Sequence, residues 1–301
     1  MEGNTARKAE VVRGGGTEPP LAGGGSAATA GSAAPALHRK TATARSGAKL
    51  ALRIAIPALG GLLFLASWQL ELFHRLWGLR TYQLPLPSAI AQAMGENASL
   101  LWDYTLYTWT EAVLGLLFGS ALGFLVALIA TAWPRWGAGG VLLVAALNAV
   151  PIVALAPIMN LWFGGGIGSR IAIVAISTMA AMAMNVHKGM SSVDPLSLDL
   201  MHGYAAKKLQ VFRYLRIPAS LPYVFTALKI NTTASMIGAI VGEFFFSSRG
   251  LGYLLSNSIK IAKMPLGWSC IIVAAALGVA FYLLMEGLEK MCMRWHPSRR
   301  G

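Results

Sequence analysis

Across 301 residues, 55% of side chains are hydrophobic and only 12% are charged, whereas a soluble domain carries about a quarter charged residues. That balance excludes an ordinary soluble domain. The net charge of +13 does not indicate nucleic acid, because the bases sit in tails and connecting loops, with no basic helix face and no aromatic–basic platform.

Residues 1–48 are rich in Gly, Ala, Ser and Thr, with glycine triplets at 14–16 and 23–25 and almost no large apolar side chains. Such a segment buries too little surface to offset chain entropy, and it is expected to be a disordered cytoplasmic tail. No apolar signal-peptide core falls in the first thirty or so residues. Residues 49–295 are expected to form one transmembrane domain, and 296–301 a second cytoplasmic tail.

Apolar spans then fall at roughly 52–72, 107–132, 138–162, 169–189, 220–246 and 268–289. Each reaches the ~20 residues that cross a hydrocarbon core as a helix. The runs are apolar on every face, without the alternation of a strand barrel. The expected architecture is an all-α membrane protein of about six transmembrane helices. Lys and Arg cluster before the first span, between the fourth and fifth (Lys188, Lys207, Lys208, Arg213, Arg216) and at the C-terminus (Lys290, Arg294, Arg299, Arg300). The positive-inside rule therefore places both termini and the 190–219 loop in the cytoplasm.

Within the third span, Pro151 and Pro157 each remove a backbone donor, and lipid-facing helices tolerate this poorly unless a neighbour or a cavity satisfies the freed carbonyls. With Asn148 and Asn160 alongside, the span is a candidate lining of a translocation path; packing of the two Asn residues against other helices is the alternative. Gly164-Gly165-Gly166-Ile167-Gly168 lacks the Gly-Lys-Ser/Thr ending of a phosphate loop and is expected to be a tight turn. Glu243, near the end of the fifth span, and Glu111, near the start of the second, must face protein or water. Glu243 either pairs, with Arg249 or a helix neighbour, or contacts the path. Lys229 must snorkel or pair.

The 190–219 connection is long. Asp194-Pro195 and Ser197 supply helix-start chemistry. Leu198, Met201, Ala205, Leu209 and Phe212 then recur at three- and four-residue spacing, giving a short amphipathic helix. A second short helix is expected over Lys207 to Arg216, ended by Pro218 and Pro222, which turn the chain into the fifth span. The result is a basic helical knob, to be docked by a protein or laid on anionic headgroups.

The segment Asp199 to Pro222 resembles the cytoplasmic "EAA" loop of binding-protein-dependent ABC importer permeases. Asp199 stands at the acidic position, Met201 at the Ala position and Ala205 at the Gly position, with Gly203 nearby. The ending Ile217-Pro218-Ala219-Ser220-Leu221-Pro222 follows the family's apolar–Pro–x–x–apolar–Pro form. Leu84-Pro85-Leu86-Pro87-Ser88, the stretch from Ala149 to Ser169, and Gly242-Glu243 with Gly250-Leu251-Gly252-Tyr253-Leu254 resemble further motifs of the nitrate, sulfonate, taurine and pyrimidine-precursor branch. Tyr204-Ala205-Ala206-Lys207 with Pro218 to Lys229 is most similar to permeases for thiamine-type pyrimidine precursors or riboflavin.

The resemblance implies a MetI-like fold and a cytoplasmic coupling loop carried by Asp199, Met201, Gly203, Tyr204, Ala205, Ala206, Lys207, Lys208, Phe212, Arg213, Pro218 and Pro222. It implies a second permease copy as a homodimer or pseudo-dimer in the bacterial inner membrane, a separate ABC ATPase that uses the ATP, and an extracytoplasmic solute-binding protein. Alternating access would be driven by ATP binding to the ATPases. The candidate path residues are Asn148, Pro151, Pro157, Asn160 and Glu243. The chain carries no Walker motif and no His-Glu-x-x-His grouping, and its cysteines, Cys270 and Cys292, have no metal-ligand spacing. No cofactor, metal or catalytic residue is therefore expected. An ion-coupled secondary transporter and a membrane-embedded enzyme are the competing classes.

Overall fold

A computed structural model describes residues 55–293. Both expected tails, 1–48 and 296–301, lie outside the described residues. Among the described residues every regular element is helical. In chain order these are α1 (Ala55–Gln69), α2 (Leu72–Trp77), α3 (Pro87–Glu96), α4 (Ala98–Ala132), α5 (Pro134–Leu147), α6 (Ile152–Phe163) and α7 (Ile167–Ser191). Then follow α8 (Pro195–Gly203), α9 (Lys208–Val211), a π-helical turn (Phe212–Arg216), α10 (Ile217–Phe246), α11 (Leu251–Lys260) and α12 (Met264–Cys292).

Among the described residues four stretches are singly long and apolar enough to cross a membrane: α4, α7, the continuous run Lys208–Phe246, and α12. The expected third span is not one helix. Its two halves, Gly139–Leu147 and Ile152–Phe163, meet at 94°. The break falls where Pro151, which has no N–H to donate, opens α6; Pro157, inside α6, does not interrupt it. The expected first span is described only from Ala55, and its helix ends at Gln69, just ahead of Glu71 in the left-handed region (φ 59°). The second span starts earlier than its apolar run, at Ala98, so the 35-residue α4 is about 50 Å long and overshoots a hydrocarbon core of about 30 Å.

Lipid tails are as apolar as leucine, so helices in a bilayer associate by close packing and polar contacts rather than by hydrophobic burial. The α4–α7 pair is built that way. The two helices run parallel: Glu111 of α4 meets the start of α7 at Arg170, and Thr131 meets the end of α7 at His187, 2.9 Å away. Between these points Gly115, Gly119 and Gly123 present one stripe of α4 to α7. A Cβ on Gly115 would collide with Val174, one on Gly119 with the Ala175 backbone, and one on Gly123 with Met179 and Met182.

Helix α10 runs back against this pair, with Asn231 Nδ2 donating to the Thr178 carbonyl at 2.8 Å. Ala112, Leu116, Val174, Met236, Ala239 and Phe281 form the core where α4, α7, α10 and α12 meet. Lys229 pairs with Glu289 at 2.6 Å, so it pairs rather than snorkels. At the far end, α3, α11 and the start of α12 close over α4 around Leu101, Leu251, Leu254, Leu266 and Cys270.

The glycine stripe sets a steric test. Gly119→Val should lower stability by about 1–3 kcal/mol, the ordinary cost of overpacking, read as the unfolding midpoint of the purified chain in detergent. Gly139→Ala, with open space around its Cβ position, should leave the midpoint unchanged or raise it.

Candidate functional site

The α7–α10 connection folds as a compact knob at the end of the bundle where α4 and α7 finish. Asp194 caps α8, accepting from Leu196 N–H at 3.3 Å and from the Ser197 hydroxyl at 3.3 Å. The helix ends in a complete Schellman turn: Ala205 N–H reaches His202 O and Ala206 N–H reaches Met201 O, at 2.9 and 3.0 Å. The residue in the left-handed position is Ala205, at φ 51°. Gly203 lies in the last turn of α8 and does not supply the bend.

The expected second helix does not end at the prolines. Lys207 N–H donates to Gln210 Oε1 at 2.7 Å, α9 begins, and the π turn carries the chain directly into α10. Ile217 N–H bonds to the Phe212 carbonyl, five residues back. This widened turn lets a proline follow without a break. Pro218 therefore sits in the first turn of α10, where its missing N–H costs little, and Pro222 lies within the same helix.

Side chains sort the knob into anchors and a free face. Phe212 packs on Ala127, Met182, Val186, Met190 and Ala227, with the Arg216 guanidinium over its ring. Lys208 donates to the Ala132 carbonyl and lies over the Trp133 ring, so it staples the knob to the end of α4. Met201 and Ala206 are half-buried, while Asp199, Gly203, Ala205, Lys207 and Arg213 are exposed. Leu196, Leu200 and Tyr204, four residues apart on one face of α8, are 75%, 61% and 78% exposed, and Leu209 is 78% exposed. Leu196, Leu200 and Leu209 were not singled out for docking from sequence. The i, i+4 repeat of Leu196, Leu200 and Tyr204 is the available signal, but it looks the same for a buried stripe.

At the opposite end lies a buried charge cluster. Glu111 and Glu243 have no exposed surface, and Arg170 is 2% exposed. Arg170 Nε donates to Glu111 Oε1 at 2.6 Å and Nη2 to the Tyr107 hydroxyl at 3.0 Å. Its remaining N–H groups reach the carbonyls of Gly165 and Phe246 at 3.4 Å. Glu243 Oε1 accepts from the Thr108 hydroxyl at 2.7 Å and Oε2 from Gly252 N–H at 2.8 Å. Thr108 in turn accepts from Leu251 N–H at 2.9 Å.

Glu243 is buried between α4 and α11, and of its expected alternatives it pairs: its partners are Thr108 and Gly252 rather than the exposed Arg249. The glycines of the 242–252 stretch make this possible. Gly250, at φ 96°, lies so close to the Glu243 carboxylate that a Cβ would land on it, and a Cβ on Gly242 would press on Arg170 Cγ.

The other path candidates are not gathered around Glu243. Asn148 caps the end of α5, Pro151 opens α6 and Pro157 lies within α6, all three exposed. Asn160 is half-buried, and its Oδ1 faces Gly165 without a hydrogen-bond partner. The glycine run is the tight turn expected, with Gly164 at φ 75° and the Gly165 carbonyl tied to Arg170.

Two outcomes follow from these geometries. Ala205→Gly should stabilise the knob by about 0.5–1 kcal/mol, the left-handed strain relieved minus the extra chain entropy of glycine, measured as slower proteolysis at the α8–α9 turn. Arg170→Met leaves the buried Glu111 without its guanidinium and should cost about 3–5 kcal/mol, read from the unfolding midpoint.

A family model described as "Binding-protein-dependent transport system inner membrane component" matches residues 119–292. The chain is 30% identical over 253 residues to the riboflavin transport system permease protein RibX of Chloroflexus aurantiacus, covering 82% of this chain and 93% of that protein. It is 29% identical over 244 residues to the formylaminopyrimidine transport permease protein ThiX of Halalkalibacterium halodurans, covering 81% and 96%. Among solved structures it resembles a chain of the inward-facing MetNI methionine ABC transporter, with a TM-score of 0.58 at 15% identity, over 65% of this chain and 97% of that one. The chain therefore belongs to the family of binding-protein-dependent transport system inner membrane components: it is a multi-pass, non-catalytic permease subunit of an ABC importer, with ATP hydrolysis in a partner chain.

Proposed function

We propose that this permease docks its ATPase through the free face of the α8–α9 knob and carries a pyrimidine-type vitamin precursor or riboflavin. The observation that carries the docking assignment is the exposed apolar stripe of Leu196, Leu200 and Tyr204 along α8, in a knob that also exposes Lys207, Leu209 and Arg213. An interface core is apolar and aromatic with charges at its rim, and a Tyr with several Leu on a rigid helix is a compact anchor. The positive-inside bias puts this knob and both termini in the cytoplasm. Two permease copies would form the path, with a solute-binding protein at the outer mouth.

Family membership disposes of the ion-coupled secondary transporter. The vitamin-type solute is supported by the Tyr204–Lys207 variant and by the names of the two relatives; taurine, sulfonate and nitrate permeases share the same branch.

One experiment addresses docking and solute separately. In the assembled importer, Leu200→Asp with Tyr204→Asp should abolish co-purification of the ATPase and uptake, while the permease still inserts. Lys207→Glu with Arg213→Glu should slow association and make it more salt-dependent without abolishing it. Stoichiometric co-purification of the Asp variant would overturn the docking assignment. With the intact importer, uptake of riboflavin or formylaminopyrimidine is expected; uptake of taurine, alkylsulfonate or nitrate instead would overturn the solute alone.

A further inference from the structure

The far-end cluster has a charge count that its protein partners do not balance. Two carboxyls, Glu111 and Glu243, lie at essentially complete burial with one guanidinium, Arg170, which pairs with Glu111. Among the described residues the facing groups supply no second cation. From α4 come the Tyr107 and Thr108 hydroxyls, from α11 the Leu251 and Gly252 amides, and from α12 the buried Cys270, which packs in the cluster with Leu251. Arg249, in the α10–α11 loop, and Lys260, at the end of α11, are both exposed.

Hydrogen bonding leaves a specific gap. Three of the four carboxylate oxygens have donors: Glu111 Oε1 from Arg170, Glu243 Oε1 from Thr108 and Glu243 Oε2 from Gly252. Glu111 Oε2 is buried and has none. Glu111 stands three residues after Thr108 on the same face of α4, and the Thr108 hydroxyl bonds Glu243 Oε1, so the two carboxyls are neighbours across α4 and α10. Two buried carboxylates side by side repel, and carboxyl pairs that share a site hold one proton for this reason.

We propose that Glu111 and Glu243 hold a single proton between them, making the far end of the bundle a one-proton binding site in the folded permease. The proton supplies the hydrogen that Glu111 Oε2 lacks and brings the cluster to neutrality: one carboxylate, one carboxylic acid, one guanidinium. It also joins α4 to α10 directly, beside the Arg170 contacts that tie both helices to α7 and to the Gly165 turn.

The proposal makes an unusual demand on substitutions. In Glu111→Gln, Oε1 still accepts from Arg170 and the amide N–H points at Glu243. In Glu243→Gln, Oε1 accepts from Gly252 N–H and the amide donates to Thr108, whose hydroxyl turns to the Tyr104 carbonyl that it already reaches at 3.1 Å; the second amide N–H faces Glu111. Each variant replaces the shared proton by a covalent N–H and leaves one carboxylate in the cluster to balance the charge of Arg170, so both should fold.

Infrared spectroscopy of the full chain in lipid nanodiscs tests the site. The wild type should show, at neutral pH, the C=O stretch of one buried carboxylic acid, and lose it on alkaline titration. Each Gln variant should lack that band at neutral pH. A wild type without the band, or a band that survives in either variant, would overturn the proposal. The wild-type spectrum decides the first point even if a variant fails to fold, and none of these measurements depends on the solute carried or on ATPase docking.

Discussion

A charged group that cannot reach water must find its partner on another helix, and this constraint organises the bundle around Arg170. Its guanidinium touches α4 through Glu111 and Tyr107, α10 through the Phe246 carbonyl, and its own approach turn through Gly165. Breaking such a contact leaves an unpaired buried charge, which costs far more than the intact pair contributes. The cluster therefore acts less as a source of stability than as a register pin. It selects one arrangement of α4, α7 and α10 among the many that equally apolar helices could adopt.

Close packing supplies the attraction that the pin only orients. Gly115, Gly119 and Gly123 bring α4 against α7, and Gly189 does the same for α7 against Ser220 and Tyr223 of α10. Without side chains at those points the backbones approach closely enough for dispersion and weak polar contacts to hold the pair in a solvent that offers no hydrophobic gain. The same logic explains the glycines around Glu243. They make room for a carboxylate to be enclosed by backbone amides, which a Cβ at Gly250 would prevent.

Much of this architecture was legible in sequence because apolar run length is a strong signal. The positions of α7, α10 and α12, the tight turn at Gly164 and the long basic connection could all be read directly. What escaped were features decided by geometry rather than by composition. Pro151 breaks its span and Pro157 does not, because one stands at a helix start and the other within a helix whose neighbours tolerate it. Pro218 and Pro222 look like terminators, yet the π turn at Phe212–Arg216 admits Pro218 and α10 runs on through Pro222. Ala205 stands where the family has glycine, and only its φ identifies it, rather than Gly203, as the residue that bends the chain. Arg170 was invisible as a partner because Glu111 and Glu243 lie 59 and 73 residues away on other helices, a distance over which periodicity carries no information.

The two ends of the molecule are joined by the same two helices. α7 begins at the Arg170 cluster and runs without interruption to within three residues of α8, and α10 grows out of the knob through the π turn and ends at Glu243 and Phe246. A partner that grips Leu200 and Tyr204 therefore acts on helices whose opposite ends are pinned to each other. Such a pair can tilt as a block but cannot easily separate at the far end. The α5–α6 segment is different: it is bent at 94° and largely exposed around the bend, and only its α6 half contributes to a small cluster with Ile173. Any ligand shifts a conformational equilibrium only through contacts that differ between the states. The pinned α4–α7–α10 block preserves its contacts under such a tilt, so differences within the chain arise where that block meets the bent segment.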